Sequence, residues 1–244
     1  MPPHREIGHD VPLAVVIPTY QERANVLRLL PAIRALVPEA RLYVVDDDSP
    51  DGTGSTVEAL ATELGGITAI HRKGERGLAG AYMAGFAAAL RDGAQRVVQM
   101  DADFSHDPAD VPRLLAPDAD LVLGSRYVPG GGTRRWPLSR RLLSRFGSLY
   151  ARAWTGLPVR DLTGGFKAWR RPTLDKVLAT PLEGRGYVFQ VELTRRAWLA
   201  GARIVEVPIV FTERADGSSK MSLEIGLEAA RTVPRLGRVP PRPR

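Results

Sequence analysis

Residues 97–108 read VVQMDADFSHDP, a buried-looking strand that runs straight into Asp101, Asp103 and Asp107. Carboxylates left unpaired at the edge of an apolar core are costly, so the spacing asks for a ligand. Asp101 and Asp103, two residues apart, present hard oxygen donors that suit Mg²⁺ or Mn²⁺, ions that keep water and share their shell with substrate phosphates. Asp107, before Pro108, reads as a turn or helix cap. Three other strand ends carry PTYQER (18–23), DDDSPDGT (46–53) and GSRY (124–127). A single acidic strand end is most often an Asx-turn or a cap. Several along one edge repel each other unless a cation or hydrogen-bond donors sit among them. A metal-bridged diphosphate with a good leaving group describes a nucleotide sugar.

Other ligands fit less well. GTGSTV (52–57) follows a strand and opens a helix, but ends in Val57 where a dinucleotide fingerprint needs glycine, and the aspartates before it would repel a pyrophosphate. No G-x-x-x-x-G-K-[ST] loop is present. The histidines at 4, 9, 71 and 106 do not cluster and cysteine is absent, which argues against zinc.

Strands and helices alternate behind these loops. LAVVIP (13–18), RLYVVD (41–46), ITAIHR (67–72), RVVQMD (96–101) and DLVLGS (120–125) read as strands. NVLRLLPAIRAL (25–36), TGSTVEALATEL (53–64) and GLAGAYMAGFAAALRDG (77–93) read as helices, with a short helix after Pro108. Such alternation predicts an α/β fold with a mostly parallel sheet flanked by helices on both faces. Ligands bind such sheets beyond the carboxyl ends of the strands, where the acids lie.

At 244 residues, 44% hydrophobic and 25% charged, the chain can bury a sizeable core. No secretory signal and no membrane-spanning run of ~18–20 apolar residues is expected. A net charge of +7 points to an anionic partner. From Leu121 to Arg160 there are eight arginines and no acid. Within it, residues 134–156 mix arginines, among them Arg140, Arg141 and Arg145, with Trp136, Leu142, Leu143, Phe146, Tyr150 and Trp154. That is the composition of a helix at a membrane interface; an ordinary amphipathic helix packed on the domain is the alternative. Residues 1–230 are expected to form one catalytic domain, and 231–244 a basic, Pro/Arg-rich disordered tail.

VVIPTYQERANV, VVDDDSPDGT, MDADFSHDP, LVLGSRYVPGGG, DLTGGFKAWRR and FTERADGSSKMS occur in the order seen in polyprenol-phosphate (dolichol-phosphate) mannosyltransferases of glycosyltransferase family 2. The resemblance runs from about residue 13 to about residue 225 and implies the nucleotide-diphospho-sugar transferase (GT-A, Rossmann-like) fold. It also implies roles. Pro18, Tyr20, Glu22, Val45 and Asp47 would enclose the guanosine of GDP-mannose. Asp101, Ala102 and Asp103 would sit at the diphosphate, with Asp101 and Asp103 holding Mg²⁺ or Mn²⁺. Where relatives often carry a further Gln ligand, this chain has Ser105. Arg126 would contact the diphosphate or the acceptor phosphate, and Arg214 and Lys220 would clamp phosphate. Asp161 is a spare acid near the acceptor side, expected to hydrogen-bond structurally rather than act as a base.

The implied activity is inverting, metal-dependent transfer of mannose from GDP-mannose to a polyprenyl phosphate. It would take place peripherally on the cytoplasmic face of a membrane, with or without a separate membrane-anchoring protein and with no nucleic-acid partner. A related family 2 transferase using UDP-glucose or another nucleotide sugar is the alternative within the class. A basic nucleic-acid- or lipid-binding module is the rival from another class, and it requires the acidic strand ends to be caps.

Overall fold

The computed structural model describes residues 12–74, 76–182, 184, 188–213 and 223–240, with the backbone alone over 223–229. Seven strands form the main sheet: β1 (Leu13–Thr19), β2 (Arg41–Asp46), β3 (Ile67–His71), β4 (Arg96–Gln99), β5 (Leu121–Ser125), β7 (Lys167–Arg170) and β8 (Ile204–Pro208). Their order is β3-β2-β1-β4-β7-β5-β8. Every pairing is parallel except those of β7, which runs antiparallel between β4 and β5. A small second sheet pairs β6 (Gly132–Arg134) with β9 (Val210–Thr212).

The apolar runs of β1, β2, β4 and β5 are buried because helices cover both faces, whereas β3, at the sheet edge, is only partly covered. Alternate residues of β1 face opposite ways, as the pleat requires. Leu13, Val15 and Ile17 join a core with α1 (Arg23–Leu36), α2 (Thr53–Leu64) and α4 (Val111–Leu115). Ala14 and Val16 join the other core, with α3 (Leu78–Arg91), α5 (Leu138–Thr155), α6 (Arg171–Leu178), α7 (Val188–Leu199) and α8 (Leu223–Leu236). α3 lies so close to the sheet that a Cβ on Gly85 would come within 2.3 Å of Val16 Cγ1. Only a glycine allows that approach.

Two expectations are corrected. The break at residue 230 falls inside α8, which continues to Leu236 despite Pro234. Val233, Leu236 and Val239 are buried in the α5–α7 core, and the Val239 N–H donates to Thr155 O at 2.7 Å. Burial of those three side chains orders the segment through residue 240 in spite of its composition. Residues 241–244 lie outside the described chain. Val45, expected at the nucleoside, is fully buried in β2, and its Cγ2 packs toward Gly85 in the core. Its side chain lies on the sheet face that α3 covers and does not line the strand-end cleft.

Candidate active site

The carboxyl ends of β1, β2 and β4 open onto one cleft of about 360 Å³, within the usual range for small-molecule sites. This is where the strand order reverses, with β2 on one side of β1 and β4 on the other, the position at which open α/β sheets bind ligands. The cleft brings together Pro18, Tyr20, Glu22, Asp47, Asp101, Ala102 and Asp103, all expected from sequence. It adds Thr19, Arg76, Gly77, Leu78 and Ala81, which the sequence reading missed.

The SPDGT segment fastens the loops together. Ser49 Oγ accepts the Gln21 N–H at 2.9 Å, Asp51 Oδ2 accepts the Arg23 N–H at 3.2 Å, and Thr53 Oγ1 accepts the Glu22 N–H at 3.0 Å. Gln21, Asp48 and Phe104, one in each of the three strand-end loops, hold positive φ angles of 59°, 57° and 57°. Such strain is uncommon outside glycine and persists where surrounding contacts impose it. Asp47 faces the cleft, yet Oδ1 accepts from Arg72 Nη1 at 2.6 Å and Oδ2 from the Gly77 N–H at 2.8 Å. It thereby pins the β3–α3 loop against the cleft.

Asp101 and Asp103 are each oriented through one oxygen. Tyr82, fully buried on α3, donates its hydroxyl to Asp101 Oδ1 at 2.8 Å, and Asp103 Oδ1 accepts the Ser105 N–H at 3.0 Å. Ser105 Oγ is buried on the same turn with no hydrogen-bond partner among the described residues. No group of three or more His, Cys, Asp or Glu that could hold a metal occurs among the described residues. Two carboxylates with an orphaned hydroxyl beside them fit Mg²⁺ or Mn²⁺, whose remaining positions go to water and substrate oxygens. They do not fit zinc. Asp107 caps the turn Pro108–Asp110 by accepting the Ala109 N–H at 2.9 Å.

His106, also missed as a site residue, lies beneath Asp101. Its Nδ1 accepts the Asp101 N–H at 3.3 Å, so the ring proton is on Nε2. Its ring stacks on Phe166 and meets the edge of Phe211. Burial pushes its pKa down, more than the neighbouring Asp101 and Asp103 charges raise it, which keeps the imidazole neutral. Sequence signalled it only as the histidine inside DADFSHDP.

Arg126, at the end of β5, is buried instead of solvated. It forms a two-pronged ion pair with Asp161, donates to Thr163 Oγ1 at 2.9 Å, and its guanidinium carbon lies 5.2–5.6 Å from the ring centroids of Tyr127, Trp136 and Phe211. Glu206 carboxylate oxygens accept the Arg160 and Asp161 N–H groups, both at 2.9 Å. Asp161 thus serves a structural pair. With β7 between β4 and β5, the Asp101 and Arg126 strand ends are separated by roughly 10 Å, two strand spacings. Arg214 and Lys220 lie outside the described residues.

α5 roofs the Arg126 cluster. Its inner side meets the domain through Ser144, whose Oγ accepts from Tyr127 Oη at 2.7 Å, and through buried Ser148, Ala151 and Thr155. Its outer side exposes Leu138, Leu142, Leu143, Phe146, Leu149 and Trp154, each half or more open to solvent. Arg140 is paired with Glu213 and lies over Trp136 at 4.3 Å, whereas Arg141 and Arg145 are exposed. No helix among the described residues is long and apolar enough to cross a membrane.

A sequence model described as "Glycosyl transferase family 2" matches residues 14–178. The chain is 47% identical over 224 residues to the undecaprenyl-phosphate mannosyltransferase of Micrococcus luteus, covering 91% of this chain and 92% of that protein. It is 46% identical over 212 residues to the polyprenol monophosphomannose synthase of Mycolicibacterium smegmatis, covering 85% and 80%. Among solved structures, the glucosyl-3-phosphoglycerate synthase of Mycobacterium tuberculosis in complex with Mn²⁺, UDP-glucose and phosphoglyceric acid superposes with a TM-score of 0.64 at 20% identity, covering 91% of this chain and 77% of that one. The mannosyltransferase PcManGT of Pyrobaculum calidifontis, in complex with GDP-Man and Mn²⁺, gives 0.54 at 21%, covering 87% and 59%. The shared architecture is the GT-A fold. With the family model spanning more than half of it, and relatives this similar over nearly all of it, the chain belongs to glycosyl transferase family 2.

Proposed function

We propose that the protein transfers mannose from GDP-mannose to a polyprenyl phosphate with inversion at the anomeric carbon, using Mg²⁺ or Mn²⁺. The observation that carries the reading is the juxtaposition of two unlike sites on one sheet edge. One is an acidic cleft at β1, β2 and β4; the other is a buried arginine cluster at β5, under a helix that exposes an apolar row. Two relatives above 45% identity whose names specify mannosyl transfer to a polyprenyl phosphate give the chemistry its substrates.

In this reading Tyr20 and Glu22 hold the nucleoside, and Asp101 and Asp103 would hold the metal at the diphosphate. When bound, the metal neutralises charge on the departing GDP. Tyr82 and His106 keep Asp101 aimed, one by its side-chain oxygen and the other by its backbone. A phosphate monoester has a second pKa of ~6 and is largely dianionic near neutrality, so its own oxygen is nucleophile enough without a protein base. Arg126, fixed by Asp161 and three rings, orients that phosphate on the far side of β7. Arg214 and Lys220 remain proposed as a phosphate clamp. One displacement across the sugar turns an α-linked donor into a β-linked product.

A prenyl chain stays in its bilayer, so the site mouth must meet the headgroups. α5 presents six exposed apolar side chains with Arg141 and Arg145 among them, the make-up of a helix that beds into an interface. We place the protein peripherally on the cytoplasmic leaflet. The test of the reading is radiolabelled transfer to a prenyl phosphate from GDP-mannose and, in parallel, UDP-glucose. Transfer from UDP-glucose in place of GDP-mannose would overturn the donor assignment.

A further inference from the structure

The loop joining β3 to α3 is fixed at both ends and carries an arginine near its C-terminal end. At its start, Arg72 Nη1 donates to Asp47 Oδ1 at 2.6 Å and to Gly77 O at 3.3 Å; at its finish, the Gly77 N–H donates to Asp47 Oδ2 at 2.8 Å. One carboxylate therefore holds the loop closed. Gly74 and Gly77 take positive φ angles of 80° and 149°, turn conformations that glycine adopts readily. Arg76 stands there exposed, lines the cleft, and brings its guanidinium carbon to 4.5 Å from the centroid of the Tyr20 ring.

Two features of that placement point to recognition. Among the described residues that line the cleft, Arg76 is the one basic side chain, in a lining that includes Glu22, Asp47, Asp101 and Asp103. It also sits at the Tyr20 end of the cleft, over the ring that offers a flat face to a base, and not on the Asp101–Asp103 turn. A guanidinium is a planar fork that stacks on aromatic rings and donates two parallel hydrogen bonds. Guanine displays two adjacent acceptors, O6 and N7, which an arginine reads with both prongs; adenine places a donor beside N7, and a uracil edge offers O4 without a second acceptor beside it.

We propose that Arg76 selects the base of the donor nucleotide by donating to the O6/N7 edge of guanine, with Tyr20 as the stacking platform. The proposal deepens the GDP-sugar reading given above and rests on it. In the free protein the guanidinium lies over the Tyr20 ring. When the base stacks there, the side chain swings off the ring to the O6/N7 edge, without any movement of the loop ends that Asp47 holds.

The experiment is calorimetric titration of the full chain and of its Arg76→Ala variant with GDP, IDP and UDP, each with Mn²⁺ present, alongside thermal melts. IDP keeps O6 and N7 but lacks the 2-amino group, so it isolates the edge in question. The expected result is a preference for GDP over UDP in the unaltered protein, a roughly ten- to hundredfold loss of GDP and IDP affinity in Arg76→Ala, and UDP affinity within about twofold of its starting value, with the melting temperature unchanged. A parallel loss for all three nucleotides would make Arg76 a general counter-charge and overturn the proposal. Retention of the GDP preference in Arg76→Ala would overturn it while leaving the GDP-sugar reading intact. An unaltered protein that prefers UDP would remove the donor reading itself, and the proposal with it.

Discussion

Arg126 and Asp161, 35 residues apart in sequence, meet in a two-pronged ion pair, with Nε 2.7 Å from Oδ2 and Nη2 2.6 Å from Oδ1. Both side chains are withdrawn from solvent. Removing one partner of a buried pair strands the other charge and typically costs about 3–5 kcal/mol. Asp161→Asn is therefore expected to lower unfolding free energy by about that amount in urea titrations and to weaken transfer. The pH profile of the residual activity should keep its shape, because Asp161 is not a base here. A variant as stable as the parent, but with a displaced profile, would reverse the assignment.

Asp103 and Asp107, in the DADFSHDP segment, divide by role. Asp103→Asn is expected to leave the fold intact and abolish transfer, since a neutral amide is a poor partner for a divalent ion. Chelation by EDTA should silence the unaltered protein in the same assay. Asp107→Ala, by contrast, removes a cap worth about 1 kcal/mol and should leave turnover near normal. Comparable transfer rates for Asp103→Asn and the parent at saturating Mn²⁺ would remove Asp103 from the metal site.

Lys167 gives the stability a pH dependence. The side chain is wholly buried on β7, donating to Gln190 O and Oε1, both at 2.8 Å, and burial lowers its pKa from the ordinary 10.5 to about 7, against a smaller upward pull from Asp161. The unfolded chain holds the proton up to about pH 10.5 while the folded chain has released it above about 7, so stability should rise with pH across that window. Each unit of the difference is worth about 1.4 kcal/mol. Above pH 10 the trend reverses. Burial, with the hydrogen bond to Asp92, pushes Tyr43 up to about 12, and that contribution is lost as the folded phenol ionises. Denaturant unfolding from pH 6 to pH 10 should show the rise, and Lys167→Met should flatten it. A slope retained in that variant would assign the effect elsewhere.

The outer row of α5 makes the membrane reading testable. Each basic residue near an anionic surface contributes about 1 kcal/mol, and apolar burial adds to it. The protein is expected to co-sediment with vesicles containing anionic lipid and to release partly as salt rises. Arg141→Glu with Arg145→Glu should weaken binding and reduce its dependence on salt, and Leu142→Asp with Phe146→Asp should abolish binding, both without altering GDP affinity. Arg140 is left out because it is paired with Glu213. Vesicle binding untouched by either pair would exclude α5, and failure of the parent to bind at all would favour docking through a separate membrane-anchoring protein.

Much of the sheet was legible because buried parallel strands are unbroken apolar runs, and β1 and β2 are of that kind. The cleft acids were legible for the same reason, since each follows such a run. β7 was not. Its KAWR sequence places a lysine in the middle of a sheet, and among the described residues it is Gln190, 23 residues away in sequence, that accepts its hydrogen bonds. Arg126 was legible as a site residue but not as half of an ion pair, because nothing local to GSRY announces Asp161. Arg76 left no pattern at all, being one arginine in a glycine-flanked loop. The C-terminal segment misled through its prolines and arginines, which outnumber the three apolar residues that anchor it.

The antiparallel insertion of β7 also bears on the order in which the chain acquires its shape. β1 through β4 pair by way of helical crossovers, and Ala14 meets Arg41 just as Leu42 meets Ile67. That unit holds every described residue of the acidic cleft and can assemble as soon as it leaves the ribosome. β5 has no such route, because its neighbours are β7 and β8. The link back to β4 waits for contacts such as Trp169 Nε1 to Gln99 Oε1, 70 residues apart, and closing long loops is what slows folding. The half that carries the acidic cleft should therefore form early, and the half that carries Arg126 and α5 should close last, so an incomplete nascent chain has the proposed donor cleft before the proposed acceptor side exists.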